Sequence, residues 1–297
     1  MSPVLAQRLL PGREMEGLRR WLPVLSGLAV MYVPTYIDLA QGLWRQDTYA
    51  HGPIVLAVAA WLAWRQRGAL DGEPEGRASA SLAGGVALAL GLALYIVGRS
   101  QSVTLFEVGS HLPVLVGTVL LLGGWRALRG LWFALFFLVF LVPLPGFVIY
   151  AITGPLKDFV SLMVDNILYG FGYPVARSGV VLSIGQYQLL IADACAGLNS
   201  IYSLAALGLL YLYLTASGNR ARGAVLLASI VPIALAANLL RVLALALVTF
   251  HLGDAAGQGF FHASAGMALF VIALLLLLGL DALLRLSPAF RPSRVRP

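Results

Sequence analysis

The run GAVLLASIVPIALAANLLRVLALALVTF, residues 223–250, is longer than the roughly 20 apolar residues with which a helix crosses the hydrocarbon core, and it carries one charge, Arg241. It reads as a membrane span with a guanidinium inside it. Seven more apolar runs accompany it, near 22–43, 50–64, 81–98, 104–125, 131–150, 196–214 and 263–284. The second is short, and PLPG at 143–146 interrupts the fifth. RQRGALDGEPEGRASA follows the second run, RALRG the fourth and SGNRARG the sixth, each a polar connection. The expected fold is an all-α integral membrane protein of about eight transmembrane helices, forming one polytopic domain over 1–297.

Composition agrees with that class. With 60% hydrophobic and 11% charged residues, the chain is far more apolar than a soluble globule. The net charge of +7, from 20 basic and 13 acidic residues, reflects arginines flanking the spans and does not call for nucleic acid. If each run crosses once and the N-terminus is cytoplasmic, the inner segments hold fifteen basic residues: Arg8, Arg13, Arg19, Arg20, Arg65, Arg67, Arg77, Arg126, Arg129, Arg220, Arg222, Arg285, Arg291, Arg294 and Arg296. The outer segments hold four, Arg45, Arg99, Lys157 and Arg177, and Arg241 is left over. That asymmetry puts both termini in the cytoplasm. The first run lacks a small-residue cleavage site and reads as a retained anchor.

The single cysteine excludes an intrachain disulfide and any cysteine-cluster metal site. Cys195, in IADACAGLNS (191–200), falls where the outer segment 151–194 enters the sixth span. Within that segment, GPLKDFVSLMVDNILYGFGYP (154–174) has helical apolar spacing and reads as an amphipathic helix at the interface. ARSGVVLSIGQYQLLIAD then alternates, with SIGQ as a turn, and reads as a short β-hairpin leading to the cysteine. Asp193 is positioned to cap the sixth helix. A thiol at a helix N-terminus sits in the positive end of the dipole, which favours thiolate.

Arg241 lies about nine residues before the outer exit of its span, or about 13 Å along the axis, within reach of the outer leaflet. Intramembrane arginines are costly and face the protein interior. Asn238, three residues earlier, shares its face and is placed to hold the guanidinium. The following outer connection, HLGDAAGQGFFHASAG, offers His251 and His262, and His262 opens the eighth span at the depth at which Cys195 opens the sixth. A thiolate, a cation and an imidazole on one membrane face can perform acyl transfer: the thiolate attacks a peptide carbonyl, the cation holds the oxyanion, and the imidazole protonates the departing amine. A thioester on Cys195 results, released by a second amine or by water.

ACAGLNS around Cys195, NLLR ending in Arg241 and HASAG beginning with His262 resemble the three signature blocks of the exosortase and archaeosortase family. YAHG at 49–52 and the WLAWRQR that follows are similar to its second-span region, so the likeness covers roughly 45–270. The resemblance implies a polytopic cysteine transpeptidase with Cys195, Arg241 and His262 as its catalytic residues, and no cofactor or metal. It implies as partners exported proteins whose C-terminal tail carries a short Pro-Glu-Pro-like motif, a membrane span and a basic end. The tail would be cleaved before the span, on the periplasmic face of a bacterial inner membrane, in processes tied to exopolysaccharide production and surface display. Many members carry arginine four residues after the cysteine, where this chain has Asn199; the CAGLNS form is similar to the exosortase B subgroup.

Each residue also has a plainer reading. A lone membrane cysteine packs as a small residue. Arg241 has Asp165, Asp193 and Asp254 as possible structural partners, His262 alone would serve as an interfacial anchor, and His251 is the second choice of base. His51 has two readings, a substrate-binding group or an interfacial hydrogen bond; Asn199 likewise serves either the substrate carbonyl or a neighbouring helix. Four dispersed histidines without an HxxxH or HExxH pair argue against a metalloprotease. Asp38 and Asp281 lie at opposite ends of their spans, which does not suit a paired-aspartate protease, and no glycine-flanked serine with its own base is present. The rival from another class is a transporter or a non-catalytic component of polysaccharide export, which many spans, a buried arginine and a Pro/Gly-broken helix would also suit.

Overall fold

A computed structural model describes residues 11–46, 49–70, 76–190, 198–215, 220–253 and 260–286, and these are mostly helical. The chain divides into two compact units, Met1–Leu144 and Pro145–Pro297. Five helical stretches among the described residues are long and apolar enough to cross a membrane: Trp21–Arg45, Ala78–Ser100, Thr104–Leu141, Gly146–Gly170 and Ala221–Leu252.

The first unit contains helices α1 (Pro11–Gln41), α2 (Gly52–Arg65), α3 (Arg77–Ser100), α4 (Thr104–Gly109) and α5 (His111–Phe137). At about 1.5 Å per residue α2 is about 21 Å long, shorter than the hydrocarbon core, as its brief apolar run foretold. Helix α3 packs antiparallel to α4 and α5 through glycines seven residues apart. A Cβ on Gly98 would lie 2.3 Å from the backbone nitrogen of Glu107, and one on Gly91 would lie 2.7 Å from that of Val114. Small residues that let backbones touch are how helices associate where lipid removes the hydrophobic drive.

RALRG at 126–130 is not the polar loop the sequence reading expects; it is helical, and the chain reverses at Gly124. Gly124 has φ 68° and ψ −168°, a conformation essentially reserved for glycine, whereas Arg, Ala and Leu all favour helix. Contacts on either side establish the reversal. Going inward, Gly98 meets Glu107, Gly91 meets Val114 and Gly76 meets Trp125; returning, Gly130 meets Ala69 and Phe140 meets His51. Arg65, Arg67, Arg77, Arg126 and Arg129 therefore share the end of this unit opposite Arg45 and Arg99.

That opposite end is tied by polar side chains, of which Thr35, Glu107, Ser110 and His111 are buried and Arg99 and Asp38 are exposed. Thr35 Oγ1 donates to Glu107 Oε1 at 2.6 Å, and Arg99 donates to both Asp38 (2.5 Å) and Glu107 (3.0 Å). The hydroxyls of Tyr32 and Ser110 are 2.8 Å apart, as are Tyr36 Oη and His111 Nε2. A buried polar group in an apolar medium needs a protein partner, and each of the four buried ones has one here.

The fifth run also ends earlier than the expected 131–150. A 3-10 turn over Leu138–Leu141 closes the first unit's last helix, and Pro143 and Pro145 break it. Proline lacks the N–H that a continuing helix needs and restricts the residue before it, so the helix restarts at Gly146. Helix α6 (Gly146–Gly170) opens the second unit and absorbs the segment expected as a separate helix over 154–174, with Pro155 inside it.

After α6 come strands β1 (Val175–Ser178), β2 (Val181–Ile184) and β3 (Tyr187–Leu190), an antiparallel meander of order β1-β2-β3. The expected hairpin is thus two hairpins. SIGQ makes the second turn as anticipated; the first, through Gly179-Val180, was hidden because VLSI alternates in continuity with the residues before it. Both two-residue turns place a glycine of positive φ first, Gly179 at 60° and Gly185 at 57°. One face of the sheet buries Leu182, Ile184 and Leu189 against Val160, Val164 and Leu168 of α6 and against Val242, Leu245 and Ala246 of the long helix that follows.

That helix, α8 (Arg220–Leu252), lies between α7 (Leu198–Thr215) and α9 (Phe260–Leu286) in sequence and packs against both, close to the expected spans. Leu204, Leu226, Ile230, Ala234, Ala237, Ala273 and Leu277 form their shared core. One end of the trio is pinned by Asp281, which accepts from Arg222 Nε (2.5 Å), from Arg285 Nε (2.9 Å) and from the Tyr211 hydroxyl. Asp281 and Arg222 are both nearly inaccessible, at 2% and 8% side-chain exposure, so removing either leaves a buried charge. Asp281→Asn is expected to cost about 3–5 kcal/mol, read as a lower unfolding temperature in detergent and reduced accumulation in membranes.

Candidate active site

Arg241 is 7% exposed and Asn238 is 7% exposed, one helical turn apart on the same buried face of α8. The next turn, Val242, Leu245 and Ala246, carries the sheet, so the arginine lies at the junction between the three-helix core and the strands that lead to Cys195. Ala234 and Ala237 pack in the core just before it, and their small side chains let neighbouring helices approach at that level.

The Asp281 pin sets the register of α8 against α9. Nineteen residues separate Arg222 from Arg241, and nineteen separate His262 from Asp281 in the antiparallel direction. At about 1.5 Å per residue both positions lie about 28 Å from the pin. The backbone of His262, in the first turn of α9, is therefore at the height of Arg241. On α7, Leu198 lies thirteen residues from Tyr211, about 20 Å from the same pin, so α7 begins within about two turns of that height. Asn199 belongs to the first turn of α7. Cys195 and Asp193 lie outside the described residues, as does Asp254.

His251 and His51 each make a hydrogen bond within their own unit. His251, exposed at the end of α8, has its Nε2 3.3 Å from the Tyr173 hydroxyl, just ahead of β1. In the first unit, His51 Nε2 donates to the Phe140 carbonyl at 3.2 Å, tying the start of α2 to the 3-10 turn. Nearby Tyr49 donates to the Leu144 carbonyl at 3.4 Å, and partial burial raises its phenol above the ordinary value.

Two clusters escaped the sequence reading. The carboxylates of Asp38 and Asp281 were weighed only as possible catalytic aspartates; Asp38 instead pairs with Arg99, and Asp281 holds Arg222 and Arg285. The i, i+4 spacing of Asp281 and Arg285 was a visible signal for one of those pairs. Nothing local ties Arg222 to a residue 59 positions away. The glycines at 84, 91 and 98 carried the other legible signal, a heptad of small residues on one helix face.

The sequence model of one family, described as transmembrane exosortase, matches residues 43–279. No curated protein and no solved structure matches the chain.

Proposed function

The chain belongs to the transmembrane exosortase family, multi-pass membrane proteins with sorting transpeptidase activity, and on that premise we propose that it cleaves the C-terminal sorting tail of exported proteins through a thioester on Cys195. The observation that carries this reading is Arg241, a guanidinium nine-tenths buried in a membrane helix at the height of the His262 backbone. A charge in that position is expensive and is kept where something negative must be met.

In the proposed reaction His262 takes the Cys195 proton, and the thiolate attacks the carbonyl carbon of the scissile bond. Arg241, steadied by Asn238, neutralises the oxyanion. When the tetrahedral intermediate collapses, the C–N bond breaks and the imidazolium returns its proton to the departing amine. An acceptor amine or water then attacks the thioester, gives its proton to His262, and regenerates the thiol. Asn199 is assigned to the substrate carbonyl in a supporting role. The substrate tail is a short motif, a membrane span and a basic end, which the bilayer and the cytoplasmic leaflet hold in place while the bond is presented outside.

The chain is placed in a bacterial inner membrane with about eight spans, cytoplasmic termini and the reacting groups facing the periplasm. Its support is the clustering of Arg65, Arg67, Arg77, Arg126 and Arg129 at one end of the first unit, which matches the retention of positive charge on the cytoplasmic side. A membrane-impermeant thiol reagent applied to spheroplasts is expected to label Cys195 and block processing. Labelling only after the inner face is exposed would overturn the orientation.

Mass spectrometry of the mature C-terminus of a tail-bearing exported protein, in cells with and without this chain, tests the function directly. A shortened C-terminus that requires the chain is expected. An intact tail in both strains would overturn the proposal and favour a transport or scaffolding role.

A further inference from the structure

Resting on the proposed function, we infer that the outer edge of β3 is the docking strand for the substrate, and that the extended polypeptide preceding the scissile bond adds to the sheet as a fourth strand. The residues flanking a two-residue hairpin turn exchange both backbone hydrogen bonds, and the pattern alternates from there. Ile184 with Tyr187 and Leu182 with Leu189 are thus the bonded pairs of β2 and β3. Gln188 and Leu190 direct their backbone N–H and C=O away from β2. Among the described residues, those outward groups take no backbone partner.

The opposite edge differs. By the same alternation Val175 and Arg177 turn their backbone groups outward from β1. That strand is guarded as natural edges are: Pro174 precedes it, and it carries the exposed charge of Arg177, whose guanidinium donates to the Gly179 carbonyl (3.1 Å). Tyr187–Leu190, YQLL, has neither a proline nor a charge. Its side chains alternate, Tyr187 and Leu189 toward the helices and Gln188 into the open. An unguarded edge strand recruits any extended chain that reaches it, which is a liability unless a partner is meant to bind.

Continuity with the nucleophile decides which partner. Cys195 follows Leu190 by five residues, at most about 18 Å of extended chain. A polypeptide paired to β3 is carried along the sheet toward the thiol by main-chain bonds, which hold many sequences equally well. Strand addition also presents the peptide extended, with its carbonyls exposed to attack from beside the strand.

Two experiments test this. Since Cys195 is the only cysteine, a Cys195→Ala, Gln188→Cys chain has one thiol. It is combined under mild oxidation with a tail-bearing substrate whose own single cysteine is walked through the residues before the cleavage site. Cross-links at every second position are expected, the period of a paired strand. Uniform cross-linking, no cross-linking, or a disulfide between two copies of this chain would overturn the inference. This readout needs no catalysis, so it is independent of the proposed reaction. In the catalytic chain, Gln188→Pro removes an outward N–H and no ladder bond; kcat/KM for processing is expected to fall about tenfold, mainly through KM. Arg177→Pro, the matching change on β1, should stay within about twofold of the unaltered chain. Equal processing by Gln188→Pro and the unaltered chain would overturn the inference. If the unaltered chain itself processes nothing, the proposed function fails instead.

Discussion

Cys195→Ala is expected to abolish processing of tail-bearing proteins, lowering turnover by about a thousandfold or more, while the chain still accumulates in the membrane. Cys195 is the only thiol in the chain, and alanine is close to cysteine in size and polarity. The two halves of the result matter together. Lost processing with normal accumulation is the signature of a missing nucleophile, whereas a transporter or scaffold would tolerate the change because neither role needs a thiol. Cys195→Ser sharpens the comparison, since a serine hydroxyl at neutral pH is far less nucleophilic than a thiolate. Quantitative immunoblotting of precursor and mature substrate, normalised to the amount of chain in the membrane, measures both variants. Wild-type processing in either one would remove Cys195 from the mechanism.

Arg241→Lys is expected to cost about 100- to 1,000-fold in kcat, the range seen when a donor to a developing oxyanion is lost. The substitution keeps the charge but exchanges a planar fork of five donors for a point charge on a flexible stem. Arg241 is almost wholly buried between the three-helix core and the sheet-bearing turn of α8, so the lysine ammonium would have to be aimed from the same packed position. If charge alone matters, Arg241→Lys will process substrate at a rate near that of the unaltered chain and Arg241→Ala will not. If the fork matters, both variants fall together, with KM changed much less than kcat. A structural role would instead appear as loss of accumulation, as it should for Asp281→Asn, where a buried pair is broken nineteen residues along α8 from Arg241.

The expected positions of α3, α7, α8 and α9 agree with the structure to within a few residues, because each is a long apolar run and a bilayer permits little besides helix. Boundaries failed where backbone chemistry overrode composition. RALRG looks like a loop by charge, yet its residues are good helix formers, and the turn falls on Gly124, which composition does not mark. PLPG was recognised as an interruption, but its effect, ending one helix at Leu141 and starting another at Gly146, depends on what each side packs against. The third strand was missed because one alternating stretch reads the same whether it is folded once or twice. Among the site residues, Arg241 was legible because a lone charge in an apolar run is conspicuous. Its burial with Asn238 was legible from helical spacing, and its height relative to His262 was not.

By itself the order of residues determined the membrane class and the approximate positions of the long helices, and it singled out the candidate reacting groups, since each follows from local hydropathy, charge or side-chain chemistry. Tertiary structure alone decided the chain reversal at Gly124, the glycine-lined approach of α3 to its neighbours, the partition of the sheet into two turns and two edges, and the Arg222–Asp281 pin that sets α8 against α9. These depend on groups distant in sequence meeting in space, where a backbone contact or a buried ion pair is satisfied only by one register of packed helices.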